Sequence, residues 1–125
     1  MSRFFIVMAA LFGLSGVAAG ALGAHGAGVL GDPWAGELLR TGSTYAIWHA
    51  LAILAYLALW GRSNVPLALF TFGTLMFSFS LYGLAFGAPP TLGYAAPVGG
   101  ILLMGGWLGV AIVALADRYD GLKGF

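Results

Sequence analysis

The sequence contains no cysteine and very few charged residues. Without cysteine the chain has no disulfide, no thiolate metal ligand and no cysteine nucleophile. Charged residues make up 7% of the 125 residues, compared with about 25% in ordinary soluble domains. So few charges cannot cover the surface of a soluble protein of this size, so a membrane protein is expected. The formal net charge of +1, without a basic patch, excludes nucleic acid as an expected partner.

The charges divide the chain into three long uncharged runs, 4–31, 41–61 and 63–116. A transmembrane helix needs about 20 apolar residues, so each of the first two runs holds one span. The third run holds two spans, because the Pro89-Pro90 pair interrupts it. We therefore predict an all-α integral membrane four-helix bundle in the lipid bilayer, a single domain over 1–125, with spans near 4–24, 43–61, 65–86 and 95–116.

Two segments in the first third of the chain, 1–24 and 33–42, support further predictions. Residues 1–24 resemble a secretory signal in having one Arg, an apolar core and small residues near Ala19 and Ala24. A retained helix is preferred, because the apolar run is long and its glycines have a packing use. Asp32-Pro33 is typical of a helix start, and Trp34 is typical of a membrane surface. A short interfacial helix is therefore predicted near 33–42, with a bend at Gly42-Ser43 into the second span.

Small residues recur at helical spacing in the first, third and fourth spans. In the first span, Ala9 is followed by glycines at intervals of 4, 3, 4 and 3 residues, which places them on one helix face. Small residues allow two helix backbones to approach closely inside a membrane. The predicted helix-packing residues are Gly13, Gly16, Gly20, Gly23, Gly73, Gly83, Gly106 and Gly109.

Basic residues are distributed unequally between the two sides of the predicted bundle. Four spans place Arg3, Arg62, Arg118 and Lys123 on one side and Arg40 on the other. Because Lys and Arg are retained in the cytoplasm, both termini are predicted to be cytoplasmic, and the other end of the bundle is the outer end.

Polar side chains and histidines gather in the predicted outer half. Tyr45 and His49 share one helix face, with His49 about one turn below the outer surface if the span begins at 43. An intramembrane polar cluster suggests a functional site, whereas the simpler interpretation is that these groups hydrogen-bond one another and nearby carbonyls. The candidate ligand-binding residues are His25, Tyr45, His49, Ser80, Tyr82 and Tyr94.

Catalysis and metal binding are not predicted. His25 and His49 match no metal or haem ligand spacing, and no Asp or Glu lies inside a span. Ser78 and Ser80 have no buried acid that would complete a hydrolytic triad. We therefore predict a protein that is not an enzyme and that carries no cofactor and no metal.

Four ordered motifs resemble the domain-of-unknown-function 423 family of small four-span membrane proteins. They are GAHG at 23–26, Tyr45 followed by HALA at 49–52, FSFSLY at 77–82 and PVGG at 97–100. Members of this family are found in bacterial inner membranes, with mitochondrial counterparts in animals. The resemblance implies a multi-pass protein of the bacterial inner membrane, and it supplies no established activity.

The leading functional hypothesis is an accessory or interaction subunit that forms a homo-oligomer or packs against a larger membrane complex. It rests on the near absence of soluble mass and on three helices with close-packing faces. The alternative is a protein that binds a small molecule or cofactor, such as a quinone, a lipid or haem, through the outer-half His/Tyr cluster. A minimal transporter or channel is a third option.

Overall fold

The computed structural model describes residues 1–25 and 31–123, with side chains described as far as Asp117. Four α-helices follow one another along the chain: α1 (Ser2–Ala24), α2 (Pro33–Leu59), α3 (Asn64–Ala85) and α4 (Ala95–Lys123). A 3-10 helix, Pro90–Tyr94, precedes α4, and no strand occurs among these residues. Each of the four helices is long and apolar enough to cross a membrane. The all-α, four-helix prediction is confirmed.

Local sequence signals fix the ends of the helices. Asp32 caps α2 as predicted, with its Oδ1 accepting a hydrogen bond of 3.0 Å from the Trp34 backbone N–H. Ser63 caps α3 in the same way. Gly61 and Gly87, which follow the ends of α2 and α3, take positive φ angles of 55° and 93° that a side chain would strain.

The predicted interfacial helix is part of α2. Residues 33–42 are helical, but they form the first turns of a helix of 27 residues that continues through Gly42 and Ser43. This corrects the predicted bend. Gly42 packs under the Tyr82 ring, and Ser43 Oγ donates a hydrogen bond to the Gly16 carbonyl, so both residues serve contacts between helices.

The helices pack in sequence order. α1 packs against α2, α2 against α3 and α3 against α4, with a smaller contact between α1 and α3. Within the described ranges, α2 and α4 make little backbone contact, although both lie against α3. The arrangement therefore leaves a gap between α2 and α4 that only large side chains bridge.

Three of the four predicted glycines of α1 face α2. A Cβ atom at Gly16 would lie 2.5 Å from Ile47 Cγ1, and one at Gly20 would lie 2.8 Å from Ser43 Oγ. A Cβ atom at Gly23 would lie 3.1 Å from the Gly36 carbonyl oxygen. The prediction for Gly13 is wrong, because no heavy atom lies within 4 Å of its Cβ position. The buried face of α1 combines two phenylalanines with four small residues: Phe5, Ala9, Phe12, Gly16, Ala19 and Gly23. Gly13 lies beside that face.

The glycines of α3 and α4 lie mainly where these two helices meet. A Cβ atom at Gly73 would lie 2.8 Å from Leu103, and one at Gly109 would lie 3.2 Å from Pro66. A Cβ atom at Gly106 would lie 2.6 Å from the Phe70 ring. Gly83 instead faces the 3-10 helix, where a Cβ atom would lie 2.6 Å from Leu92 Cδ2.

His49 lies far along α2 from the charged residues at the end of the bundle where α2 and α3 are joined. His49 lies ten residues before the end of α2 at Leu59, which corresponds to about 15 Å along a helix. Trp107, which His49 contacts, lies ten residues before Asp117. Asp117 in turn pairs with Arg62 at 2.9 Å, at the end of the bundle where α2 and α3 are joined. Because a hydrocarbon layer is about 30 Å thick, we expect His49 to lie near its middle, deeper than the predicted single turn below the surface.

Candidate functional site

Both ring nitrogens of His49 make hydrogen bonds inside the bundle. Nδ1 lies 2.7 Å from the Tyr45 carbonyl oxygen, and Nε2 lies 3.1 Å from Nε1 of Trp107. An indole N–H can only donate, so Nε2 of His49 is the acceptor. Nδ1 therefore carries the proton and donates it to the Tyr45 carbonyl. The geometry assigns a neutral imidazole in one tautomer, with no unpaired nitrogen.

Aromatic rings hold this pair in place. The Phe70 ring of α3 lies beside both partners, with its centroid 5.6 Å from that of His49 and 5.2 Å from that of Trp107. The absence of a side chain at Gly106 allows Phe70 to lie against α4 beneath Trp107. His49 is consequently 5% exposed, although it faces the gap between α2 and α4.

The gap between α2 and α4 forms a cavity of about 410 Å³, which we call the α2–α4 groove. Its rim is aromatic, with Trp48 68% exposed and Trp107 51% exposed. In a membrane that exposure is to lipid, so the groove opens sideways into the bilayer. The lining residues are Thr44, Tyr45, Trp48, His49, Gly100, Leu103, Met104 and Trp107.

The structure brings two of the six predicted ligand-binding residues together in this groove. Tyr45 and His49 lie on successive turns of α2, with their rings stacked at a centroid distance of 6.0 Å. Tyr94 is 80% exposed in the 3-10 helix. Ser80 is buried and donates to the Phe77 carbonyl of its own helix at 2.8 Å, and Tyr82 packs on Gly42, outside the groove lining.

Of the six predicted residues, the structure therefore brings only Tyr45 and His49 together in the groove. His25 is exposed just past the end of α1 at Ala24, whereas His49 is buried ten residues before the end of α2. The hypothesis of a pocket shared by His25 and His49 is wrong, because the end of α1 at Gly23 lies beside Gly36 and Arg40 of α2, more than two helical turns before His49.

The most important residue that sequence reasoning missed is Trp107. Tryptophan is enriched at membrane surfaces, and Trp107 instead lies well inside an uncharged run, ten residues before Asp117. That position was the available signal for a specific contact. Trp48, next to His49, likewise lies well inside an uncharged run, 41–61.

The groove offers hydrogen bonding and apolar contact as its chemistry. Over residues 1–25 and 31–117, no three side chains of His, Asp or Glu gather as a metal site would require. The side chains of the groove wall that carry polar atoms are those of Thr44, Tyr45, Trp48, His49 and Trp107. The remaining wall is aliphatic, thioether or glycine.

Comparison with known proteins places the chain in a family. Residues 19–100 match the model of the family described as "Protein of unknown function (DUF423)". The chain belongs to this family. No solved structure matches it.

Curated relatives of this DUF423 member agree with its membrane character. A UPF0382 membrane protein of Staphylococcus epidermidis is 35% identical over 118 residues, covering 90% of this chain and 96% of the relative. A UPF0382 membrane protein of Haemophilus influenzae is 34% identical over 115 residues, covering 89% and 93%. The UPF0382 inner membrane protein YgdD of Escherichia coli K12 is 36% identical over 136 residues, covering 98% and 97%. These names give a membrane location and assign no activity.

Proposed function

We propose that the protein is a non-catalytic membrane protein that binds a lipid-soluble small molecule in the α2–α4 groove. The observation that carries the proposal is a groove of about 410 Å³ with a His–Trp hydrogen bond in its wall. Small-molecule sites in proteins typically enclose about 300–1,000 Å³ and combine apolar walls with a few placed polar groups. The groove has this composition.

The position of His49 supports a binding role more strongly than a packing role. Ionisable side chains inside a membrane are costly and are rarely kept without a function. Two apolar side chains would join α2 to α4 at a lower cost than an imidazole and an indole. Because α2 and α4 both pack on α3 and hardly on each other, the His49–Trp107 contact can separate while the helices stay packed on α3.

A variant that fills the groove tests the proposal. A Cβ atom at Gly100 would meet only Phe77 Cδ2, at 3.9 Å, so Gly100→Leu projects a side chain into the groove without a clash at its base. Gly105→Leu is the matched control, because Gly105 lies on the same helix, faces Leu69 at 3.6 Å and is absent from the groove lining. Native mass spectrometry of protein extracted in mild detergent should find a small-molecule adduct on the parent and on Gly105→Leu, and none on Gly100→Leu. An adduct that is equally abundant on all three proteins would contradict groove binding.

The second candidate function is an accessory or interaction subunit, either in a homo-oligomer or in a larger membrane complex. Its support is the face of α4 that the other described helices leave uncovered. In the most apolar stretch of Pro90–Asp117, 17% of the residues are buried by the rest of the chain, compared with 44% in the corresponding stretch of α3. A partner helix could cover that face. The same mass measurement separates the candidates, because a stoichiometric protein partner favours the subunit and a small-molecule adduct favours the groove.

We further propose that both termini are cytoplasmic. Arg3 and Arg62 lie at the end of the bundle that holds the N-terminus, and Arg40 lies toward the other end. A reporter that works only in the cytoplasm should be active when fused after Phe125 and inactive when inserted at Gly31, before α2. A reporter that works only outside should give the opposite result. An external C-terminus would reverse the assignment of sides without moving His49 from mid-depth.

A further inference from the structure

We propose that the hydrogen bond between Trp107 and His49 is the insertion point for a hydroxyl group, so that the α2–α4 groove selects a phenolic lipid over its ether or carbonyl counterpart. This inference rests on the proposed groove binding and names its ligand class. It follows from the hydrogen-bonding capacity of the two side chains in their observed arrangement.

The tautomer of His49 determines what can enter. Nδ1 donates to the Tyr45 carbonyl, so Nε2 presents a lone pair toward Trp107. A hydroxyl group both donates and accepts. Placed between the two rings, it donates to Nε2 of His49 and accepts from Nε1 of Trp107, so all the polar groups stay paired. An ether or carbonyl oxygen only accepts, and it would leave Nε2 without a donor in apolar surroundings.

The groove can open by the distance that this exchange requires. The two nitrogens are now 3.1 Å apart, and a hydroxyl bonded to both would separate them to roughly 5 Å. His49 is held by the Tyr45 carbonyl and the Phe70 ring. Trp107 is half exposed on the rim of the groove, so the indole moves and the imidazole stays.

The lining favours an aromatic head group as the carrier of the hydroxyl. Tyr45, Trp48 and Trp107 present three aromatic side chains to one groove, and aromatic rings pack well against a flat ring in offset or edge-to-face arrangements. Leu103 and Met104 offer apolar surface to an alkyl tail. The expected ligand is therefore an alkylated phenol or hydroquinone dissolved in the membrane.

Matched probes test the selectivity. We would measure the binding of 4-nonylphenol and of its methyl ether, 4-nonylanisole, to the protein in nanodiscs by calorimetry, with empty nanodiscs subtracted. The phenol should bind on the order of tenfold more tightly than the ether, which corresponds to about 1.4 kcal/mol. Dodecanol serves as the non-aromatic alcohol and should bind more weakly than the phenol.

Variants of the two rings separate this role from a purely structural one. In His49→Gln the amide oxygen can still accept from the hydroxyl, so the preference for the phenol should persist. In His49→Leu the acceptor is lost, and the phenol and the ether should bind equally. In Trp107→Phe the phenol should gain further over the ether, because the hydroxyl then satisfies a nitrogen that has no other partner. A purely structural role would change the melting temperature of these variants and leave the ratio of affinities unchanged.

Several outcomes would overturn the inference. Equal affinity for the phenol and the ether in the parent, or a preference that survives in His49→Leu, would exclude hydroxyl insertion. Tighter binding of dodecanol than of the phenol would exclude the phenolic class. If both aromatic probes bind equally and Gly100→Leu abolishes both, the inference fails while the groove proposal stands, whereas an absence of binding by all three probes counts against both.

Discussion

Replacing Gly99 by Ala should destabilise the protein by about 1–3 kcal/mol, the usual cost of overpacking. A Cβ atom at Gly99 would clash with the backbone nitrogen of Phe77, and it would lie 2.8 Å from the Gly73 carbonyl oxygen. These are backbone atoms, so relief requires α3 and α4 to separate. The loss should appear although Ala is favoured over Gly inside a helix by about 1 kcal/mol. Thermal unfolding in detergent would measure it.

The control for Gly99→Ala is Gly105→Ala. Gly105 lies on the same helix, and its Cβ position is 3.6 Å from Leu69 Cδ1, an ordinary contact. This variant should melt at or above the temperature of the parent, because it gains helix propensity without a clash. If Gly99→Ala melted as high as Gly105→Ala, α3 and α4 would not be in backbone contact at this depth.

Replacing His49 by Leu should destabilise the protein by about 1–3 kcal/mol, the cost of an unsatisfied buried polar group. The change removes the acceptor for the Trp107 N–H, which is 3.1 Å from Nε2. His49→Gln should stay close to the parent, because the side-chain oxygen of Gln can accept from the same N–H. Melting temperatures of the two variants provide the comparison.

A double-mutant cycle with Trp107→Phe tests whether the cost of His49→Leu arises from the lost contact with Trp107. Phe removes the donor, so His49→Leu should cost less in the Trp107→Phe background than in the parent. Residues in direct contact usually show coupling energies of about 0.5–3 kcal/mol. Additive losses would mean that His49 and Trp107 do not interact.

The number and type of the helices could be predicted because their causes are local. A charge-free run of sufficient length predicts a span by itself, and the proline pair after α3 interrupts one wherever it occurs. The start of α2 at Asp32 and Pro33 was likewise available from the two residues concerned. These features depend on neighbours along the chain, which a sequence displays directly.

The site could be predicted only in part because its causes are distant in sequence. Gly42 and Ser43 have the local character of a bend, but their roles depend on Tyr82 and Gly16 of other helices. His49 and Trp107 are separated by 58 positions, and no spacing rule connects an imidazole to an indole. Gly13 fits the small-residue period of α1 and still lies beside the buried face, because Phe5 and Phe12 determine how that helix is rotated.

The position of α2 along the membrane normal has a consequence for how a ligand would reach the α2–α4 groove. Glu37 and Arg40 form an exposed ion pair toward one end of the helix, and Arg62 and Asp117 form another at the opposite end of the bundle. Sliding of the bundle in either direction would draw one pair into hydrocarbon, so we expect His49 to stay near the midplane. A molecule reaches it by lateral diffusion within the bilayer. Occupancy should therefore follow the mole fraction of the ligand among the lipids, and its aqueous concentration should matter only through partitioning.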